Sequence, residues 1–172
     1  MMLKQNQINY LKTVPKDRIT HVVDFDPKTQ TTAQEIISEV QNVLPLVKIY
    51  YIGSSALGIA GENDIDLTIM AEANFDESLK ILKESYGTPE HENPQTRYVK
   101  WEFARNSFPV ELHLGAFMTP DLQEQLDTQK VLEGSVELRL EYEKIKRECN
   151  GLPWIEYLTR KYEFWNRILG IK

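Results

Sequence analysis

The amino-acid sequence predicts an α+β fold, with a mixed β-sheet, helices packed on it and a C-terminal third made of helices. Two observations support this class. Runs rich in β-branched and aromatic residues alternate with segments whose apolar residues recur at helical spacing. From Thr119 onward the pattern is helical, with breaks near 134–135 and 151–153 that divide it into three helices. We expect four or five strands in the sheet, from the runs at 21–25, 46–52, 65–70, 97–104 and 108–117.

Two helices are expected among these strands. The first is predicted to open with a capping box at 32–35 and to end near Pro45. The second is predicted to begin after Asn74 and to end before Gly87. Residues 88–95 follow neither period and are predicted to be a loop.

Composition and charge limit the class of protein. The 172 residues are 41% hydrophobic and 27% charged, without a repeat or a flexible linker, so we expect one domain over residues 1–172. The net charge of −6 opposes strong non-specific binding to nucleic acids. No apolar run reaches the roughly 20 residues that cross a bilayer, and the first residues lack a signal-peptide pattern, so we expect a cytoplasmic protein with no membrane partner. The one cysteine, Cys149, indicates neither an internal disulfide nor a zinc site.

Residues 52–67 carry the pattern that indicates chemistry. Gly53 and Ser54 end one strand, and a short helical turn there would point backbone N–H groups at an anion such as a phosphate. In the following strand Asp64 and Asp66 are two residues apart, so their side chains share a face. Adjacent carboxylates repel each other unless a cation lies between them, and Mg²⁺ binds carboxylate and phosphate oxygens. The sequence therefore predicts a divalent-metal site at this pair.

A third acid, Glu111, lies between apolar residues of a later strand. Burying its carboxylate without a partner would be costly, and a metal held by Asp64 and Asp66 would be one such partner. The alternative is an ion pair with Arg97 or Lys100 across the β-hairpin.

The order of these residues resembles the nucleotidyltransferase superfamily, in which a hydrophobic residue and Gly-Ser precede Asp-x-Asp and a third acid on a later strand. More narrowly, the chain resembles the GrpB family over about residues 22–164. That resemblance rests on Phe-Asp-Pro at 25–27, the turn at 52–56, Arg-Tyr-Val-Lys at 97–100, the run at 142–146, and Tyr157 and Lys161 in the last helix. The chain departs from the family pattern at Tyr51, at 57–59 and at 62–63, where the family has His, Val-Pro-Gly and Lys-Pro. We expect substrate contacts at those positions to differ.

The resemblance implies a nucleotidyltransferase that moves a nucleoside monophosphate from a nucleoside triphosphate to the hydroxyl of a small-molecule or macromolecular acceptor. In this hypothesis Asp64, Asp66 and Glu111 hold one or two Mg²⁺ ions, or Glu111 instead deprotonates the acceptor. The predicted contacts to the nucleotide are Gly53, Ser54, Ser55, Arg97, Lys100 and Lys161. The last three are equally compatible with ordinary surface charges.

The sequence is compatible with two other functions. A non-catalytic module that binds a nucleotide or a protein partner would keep the same fold. A hydrolase with Glu111 as general acid and an aspartate as base would use the same carboxylates. His113 shares the face of Glu111 and either orients that carboxylate or the acceptor, or is a packed histidine bonded to backbone.

Overall fold

The computed structural model describes residues 3–171, in which seven helices and five strands follow one another. The helices are α1 (Gln5–Leu11), α2 (Lys28–Val43), α3 (Gly53–Leu57), α4 (Phe75–Tyr86), α5 (Pro120–Glu133), α6 (Val136–Glu148) and α7 (Trp154–Ile168). The strands are β1 (Lys48–Ile52), β2 (Ile65–Met70), β3 (His91–Asn93), β4 (Tyr98–Arg105) and β5 (Phe108–Gly115). The expected α+β class and helical C-terminal third are confirmed. None of the helices in this range is long and apolar enough to cross a membrane.

The five strands form one mixed sheet in the order β1-β2-β5-β4-β3. β1 and β2 run antiparallel, β2 and β5 run parallel, and the sheet continues antiparallel from β5 through β4 to β3. The parallel pair sets Asp66 directly beside Glu111 and Thr68 beside His113. Two acids that are far apart in the sequence are thereby adjacent on the sheet.

The two faces of the sheet differ in polarity because side chains alternate along each strand. On one face Ile65, Leu67 and Ile69 of β2 are fully buried in a core that α2 and α4 complete. Each such side chain contributes about 1.5–3 kcal/mol on burial. The opposite face carries Asp66 and Glu111. The apolar residues of β2 therefore fix which way its acid points.

The helical third lies against this polar face. α5 contacts α3 and β1, and α6 and α7 pack on α5 and on each other. Tyr142 of α6 stacks on Phe164 of α7, with their ring centroids 5.3 Å apart. α1 packs on α7, where the buried amides of Gln7 and Asn166 exchange two hydrogen bonds of 3.0 and 2.9 Å. Polar as well as apolar contacts thus join the N-terminal helix to the last one.

The predicted strand at 21–25 is wrong. Apart from an isolated bridge between Val23 and Gly61, this segment runs as irregular backbone. The side-chain amide of Asn63 donates to the carbonyl of Asp24 and accepts from the N–H of Asp26. These bonds satisfy backbone groups that a neighbouring strand would otherwise have paired.

The predicted start of the first long helix is also wrong. α2 begins at Lys28, four residues before the expected capping box. Asp26 closes the first turn instead, because its Oδ1 accepts a hydrogen bond from the Lys28 N–H. Thr32 is buried inside the helix, and its hydroxyl accepts from the Asn106 amide at the β4–β5 hairpin.

The loop predicted at 88–95 contains the short edge strand β3. It pairs antiparallel with β4, with His91 opposite Lys100 and Asn93 opposite Tyr98. Three polar or charged residues are too few to show an alternating pattern, so sequence reasoning had no signal for this strand.

Candidate functional site

A cavity of about 770 Å³ lies between the polar face of the sheet and the helical third. This volume is in the range of small-molecule sites. The sheet side of the cavity carries Asp66 and Glu111, and the helix side carries Lys146 and Lys161. Acids of the sheet thus face lysines of α6 and α7 across the cavity. α5 adds Asp121 and Glu124 to the lining, and Glu124 is paired with Lys4 at 2.6 Å.

Strand register brings two of the predicted acids together. Asp66 in β2 and Glu111 in β5 are direct neighbours in the parallel ladder. One oxygen from each, together with one ring nitrogen of His113, lie within 4.8 Å of one another. Oxygen and imidazole donors in such a group can share one divalent ion. Sequence reasoning put His113 on the face of Glu111 but did not include it in the metal site.

The pKa of the Asp66 carboxyl is raised well above its ordinary value. Burial is the main cause, and the nearby carboxylates of Asp64 and Glu111 add repulsion, which the charges of Lys161 and Lys146 only partly offset. A buried acid that faces two others is costly in the metal-free protein. A divalent cation among them would remove that cost, so the residues present fit a metal.

Asp64 lines the same cavity but lies outside the group formed by Asp66, Glu111 and His113. It precedes β2, and its backbone carbonyl accepts a hydrogen bond from the buried hydroxyl of Ser55. Burial is the main cause of the raised pKa of both Asp66 on the sheet side and Tyr157 on the helix side. The charge of Asp64 raises both pKa values further. Its carboxylate therefore acts on both walls. The metal role predicted for the three acids stays a prediction.

The turn after β1 brings the backbone close to the acids. Gly53 has a φ of 88°, and a Cβ at this position would lie 2.7 Å from Asp66 Oδ2. Glycine adopts this positive φ without strain and has no Cβ to collide with the carboxylate. A Cβ on Gly61 would overlap Ser54 Oγ and lie 3.7 Å from Lys146 Nζ. The Ser54 hydroxyl thus lies at the junction of the two walls.

Glu111 has two charged or chargeable neighbours on the sheet. Lys100 Nζ lies 3.6 Å from its Oε1, and His113 Nε2 lies 3.4 Å from its Oε2. The ion pair across the hairpin, considered above as an alternative, is therefore present, and Lys100 also pairs with Glu102. Hydrogen bonding with His113 lowers the pKa of Glu111, burial opposes the shift, and the Lys100 charge reinforces it. These neighbours keep Glu111 ionised.

The lysines of the opposite wall are enclosed by aromatic rings. Lys146 in α6 is 8% exposed, and its Nζ lies 5.3 and 5.0 Å from the rings of Tyr142 and Tyr157. Lys161 in α7 has its Nζ 4.4 Å from the Trp165 ring. The pKa of Lys161 is lowered to about 8, mainly by burial and to a smaller extent by repulsion from Lys146. An anion between the two ammonium groups would relieve that repulsion.

The other predicted nucleotide contacts are engaged within the protein. Arg97 lines the cavity, but its guanidinium pairs with Asp76 at 3.0 Å. The Ser55 hydroxyl donates to the Asp64 carbonyl, so it holds the loop before β2. Sequence reasoning missed Lys146, whose signal was its position in the family-like run at 142–146. The nucleotide contacts assigned from the sequence stay predictions.

Comparison with protein families identifies the chain. The family described as GrpB protein matches residues 19–170. The chain belongs to the GrpB family. The resemblance found in the motifs at 25–27, 52–56 and 97–100 is confirmed by this match. No curated protein sequence matches the chain significantly.

Solved structures with a similar fold include another GrpB. The crystal structure of conserved protein GrpB from Enterococcus faecalis matches with a TM-score of 0.67 and 14% identity, covering 87% of this chain and 97% of that one. The RNA terminal uridylyl transferase Cid1 matches with a TM-score of 0.49 and 12% identity, covering 82% of this chain and 44% of its own. A cytoplasmic RNA terminal U-transferase matches with a TM-score of 0.49 and 13% identity, covering 83% and 44%. The first match shows that the fold is shared within the GrpB family. This chain spans less than half of the length of either transferase.

Proposed function

We propose that this GrpB-family chain is a metal-dependent nucleotidyltransferase that moves a nucleoside monophosphate from a nucleoside triphosphate to an acceptor hydroxyl. The observation that carries the proposal is the opposition of charge across one cavity, with Asp66 and Glu111 on the sheet and Lys146 and Lys161 on the helices. A metal-bound triphosphate has the complementary distribution, because its metal meets the acids while its free phosphate oxygens meet the ammonium groups. An uncharged ligand would offer no cation to the repelled carboxylate of Asp66 and no anion to the two neighbouring ammonium groups.

The metal would be held by Asp66 and Glu111, with Asp64 or His113 completing the set. When bound, it supplies positive charge against the negative charge that grows on the phosphoryl and pyrophosphate oxygens. Glu111 suits this ligand role better than the role of general base. Its lowered pKa keeps it ionised, whereas an efficient base has a pKa near the working pH.

The remaining residues would bind and orient the triphosphate. Gly53 exposes its backbone and Ser54 offers a hydroxyl at the junction of the two walls. Lys146 and Lys161 neutralise the outer phosphates, which sets the α-phosphorus near the acids. The acceptor hydroxyl then loses its proton to solvent water as its oxygen forms a bond to the α-phosphorus. The bond from the α-phosphorus to the departing pyrophosphate breaks on the side of the lysines, and the pyrophosphate carries away that electron pair.

Replacing Lys146 with Met is expected to weaken the binding of a metal–triphosphate complex about tenfold, because one charge-assisted contact to phosphate is lost. Calorimetry with ATP and the three other ribonucleoside triphosphates, each with saturating Mg²⁺, measures the effect. Lys144→Met is the matched control, because Lys144 lies on the same helix with 76% of its side chain exposed. It should bind like the wild type.

The proposal fails if the wild type binds no triphosphate in the presence of metal. It also fails if the two lysine variants bind equally well, because phosphate would then not lie between the walls. A turnover assay with a panel of hydroxyl acceptors, followed by pyrophosphate release, separates an enzyme from a non-catalytic nucleotide-binding module.

Triphosphate binding should also draw a proton onto Lys161. The pKa of this ammonium is lowered to about 8, so near pH 8 about half of the molecules hold it uncharged. A phosphate beside it favours the charged form, so the complex takes up a fraction of a proton and affinity falls as pH rises from 7 to 9. Calorimetry at pH 8 in buffers of different ionisation enthalpy, with metal already saturating, measures this uptake. The uptake should vanish in Lys161→Met, and its persistence there would contradict the assignment.

A further inference from the structure

His113 is held in an orientation that suits a metal ligand. Its Nδ1 lies 2.7 Å from the hydroxyl of Tyr98, which directs the other ring nitrogen, Nε2, toward Glu111. The ring of Tyr98 is also tilted against the imidazole, with centroids 5.8 Å apart. In the metal-free protein Nε2–H faces the Glu111 carboxylate, and Nδ1 accepts from the Tyr98 hydroxyl. In the other neutral tautomer Nδ1–H donates to Tyr98, and the lone pair of Nε2 is free to bind a cation. Metal-binding histidines are oriented in this way by a hydrogen bond at the other ring nitrogen.

The separations within the group suit ligands of a single ion. Metal–ligand distances of about 2.1 Å set neighbouring donors about 3.0–3.4 Å apart on octahedral or tetrahedral geometry. His113 Nε2 and Glu111 Oε2 are 3.4 Å apart, at the long end for a direct hydrogen bond. The Asp66 oxygen lies within 4.8 Å of both, so a small closure of one carboxylate completes the set.

We infer that His113 is a metal ligand, and that the site therefore binds first-row transition ions such as Mn²⁺ and Co²⁺ more tightly than Mg²⁺. This inference rests on the metal site of the proposed function and specifies which ion that site selects. Mg²⁺ prefers oxygen ligands, ideal octahedral geometry and several retained waters. Imidazole nitrogen is a softer donor that favours transition ions, and two carboxylates with one histidine form a mixed set of this kind.

The first experiment needs no variant. Protein loaded with Mn²⁺ is examined by pulsed paramagnetic resonance, in which a coordinated imidazole gives a nitrogen hyperfine coupling to the metal. We expect that coupling in the wild type. Calorimetry should show Mn²⁺ and Co²⁺ binding about tenfold or more tightly than Mg²⁺.

Variants then assign the nitrogen to a residue. His113→Gln should lose the coupling and weaken Mn²⁺ binding about tenfold, with little change for Mg²⁺. Tyr98→Phe keeps the ligand but loses its orienting hydrogen bond, so Mn²⁺ affinity should fall about tenfold while the coupling remains. His21→Gln is the matched control, because His21 lines the same cavity outside the metal group. It should keep both coupling and affinity.

The outcomes separate this inference from the proposed function. Mn²⁺ bound without nitrogen coupling, or equal affinity for Mn²⁺ and Mg²⁺, overturns the inference and leaves the nucleotidyltransferase proposal standing. Failure of every divalent ion to bind, with or without a triphosphate, overturns both. If His113→Gln does not fold, coupling that is retained in His21→Gln still supports His113, because His91, the third histidine, does not line the cavity. Coupling lost in His21→Gln would overturn the assignment.

Discussion

Replacing Asp66 with Asn is expected to weaken metal binding in the cavity by about 100-fold or more. The same change should raise the melting temperature of the metal-free protein. The amide keeps the shape of the carboxyl but removes its charge, which is buried and repelled by Asp64 and Glu111. Relief of this arrangement should stabilise the fold by roughly 0.5–2 kcal/mol, the range of single stabilising substitutions. For a chain of this length, each kcal/mol corresponds to about 2–4 °C.

The stabilising effect of Asp66→Asn should depend on pH. Because the pKa of Asp66 is higher in the folded than in the unfolded chain, the wild type loses stability as pH rises through the folded pKa. In acid, where this carboxyl is protonated in both states, its contribution to the difference between wild type and variant is absent. The stability advantage of Asp66→Asn over the wild type should therefore increase from acidic to neutral pH. Thermal melts in chelator between pH 4 and 8 measure it.

Metal should reverse the order of stability. Addition at 100 times its dissociation constant stabilises the wild type by about 2.7 kcal/mol and leaves Asp66→Asn almost unchanged. Asp17→Asn, in an exposed turn, is the control and should respond like the wild type. A variant that melts lower than the wild type without metal, yet still gains the full metal shift, would refute the assigned role of Asp66.

The second large effect is expected from Gly53→Ala, which should cost about 2–3 kcal/mol of stability and also weaken metal binding. The φ of 88° at Gly53 disfavours a side chain by roughly 1–2 kcal/mol. The added methyl would also lie 2.7 Å from Asp66 Oδ2, so one of the two must move. A displaced carboxylate no longer meets Glu111 and His113 around one ion.

Gly151→Ala separates the two causes. Gly151 has a φ of 81° but open space where a Cβ would stand, so its replacement introduces backbone strain without the contact. Both alanine variants should melt lower than the wild type, whereas only Gly53→Ala should lose metal affinity. Equal metal binding by the two, measured by calorimetry below the melting transition, would show that the Gly53 turn does not position Asp66.

Those parts of the fold that have strong periodicity or clear boundary residues could be predicted from the sequence. The fully buried residues of β2 and the stripe of α4 before Gly87 are examples. The start of α2 could not be predicted, because Asp26 and Thr32 both fit the pattern of a capping residue. Long-range contacts decide between them, since burial of Thr32 against the hairpin is a tertiary interaction.

The acidic wall of the candidate site was also predictable, because Asp64 and Asp66 are close in sequence and Glu111 stands out among apolar neighbours. The lysines on the opposite side of the cavity were harder to predict. Lys146 lies in a helix rich in charged residues, and nothing in its spacing distinguishes it from the exposed Lys144. Packing of α6 on α7 is what turns one of these lysines toward the cavity. Strand pairing similarly places His113 near Asp66, because the register between β2 and β5 decides which residues of the two strands are adjacent.

The parallel pairing of β2 with β5 couples assembly of the acids to correct alignment of the central strands. A slip by one residue between them would exchange the faces of one strand and drive its carboxylate into the apolar layer. Misaligned chains would therefore lack both a stable interior and the proposed metal site. The same carboxylates that destabilise the aligned sheet by repulsion therefore also disfavour misaligned pairing, because burial in the apolar layer would cost them more.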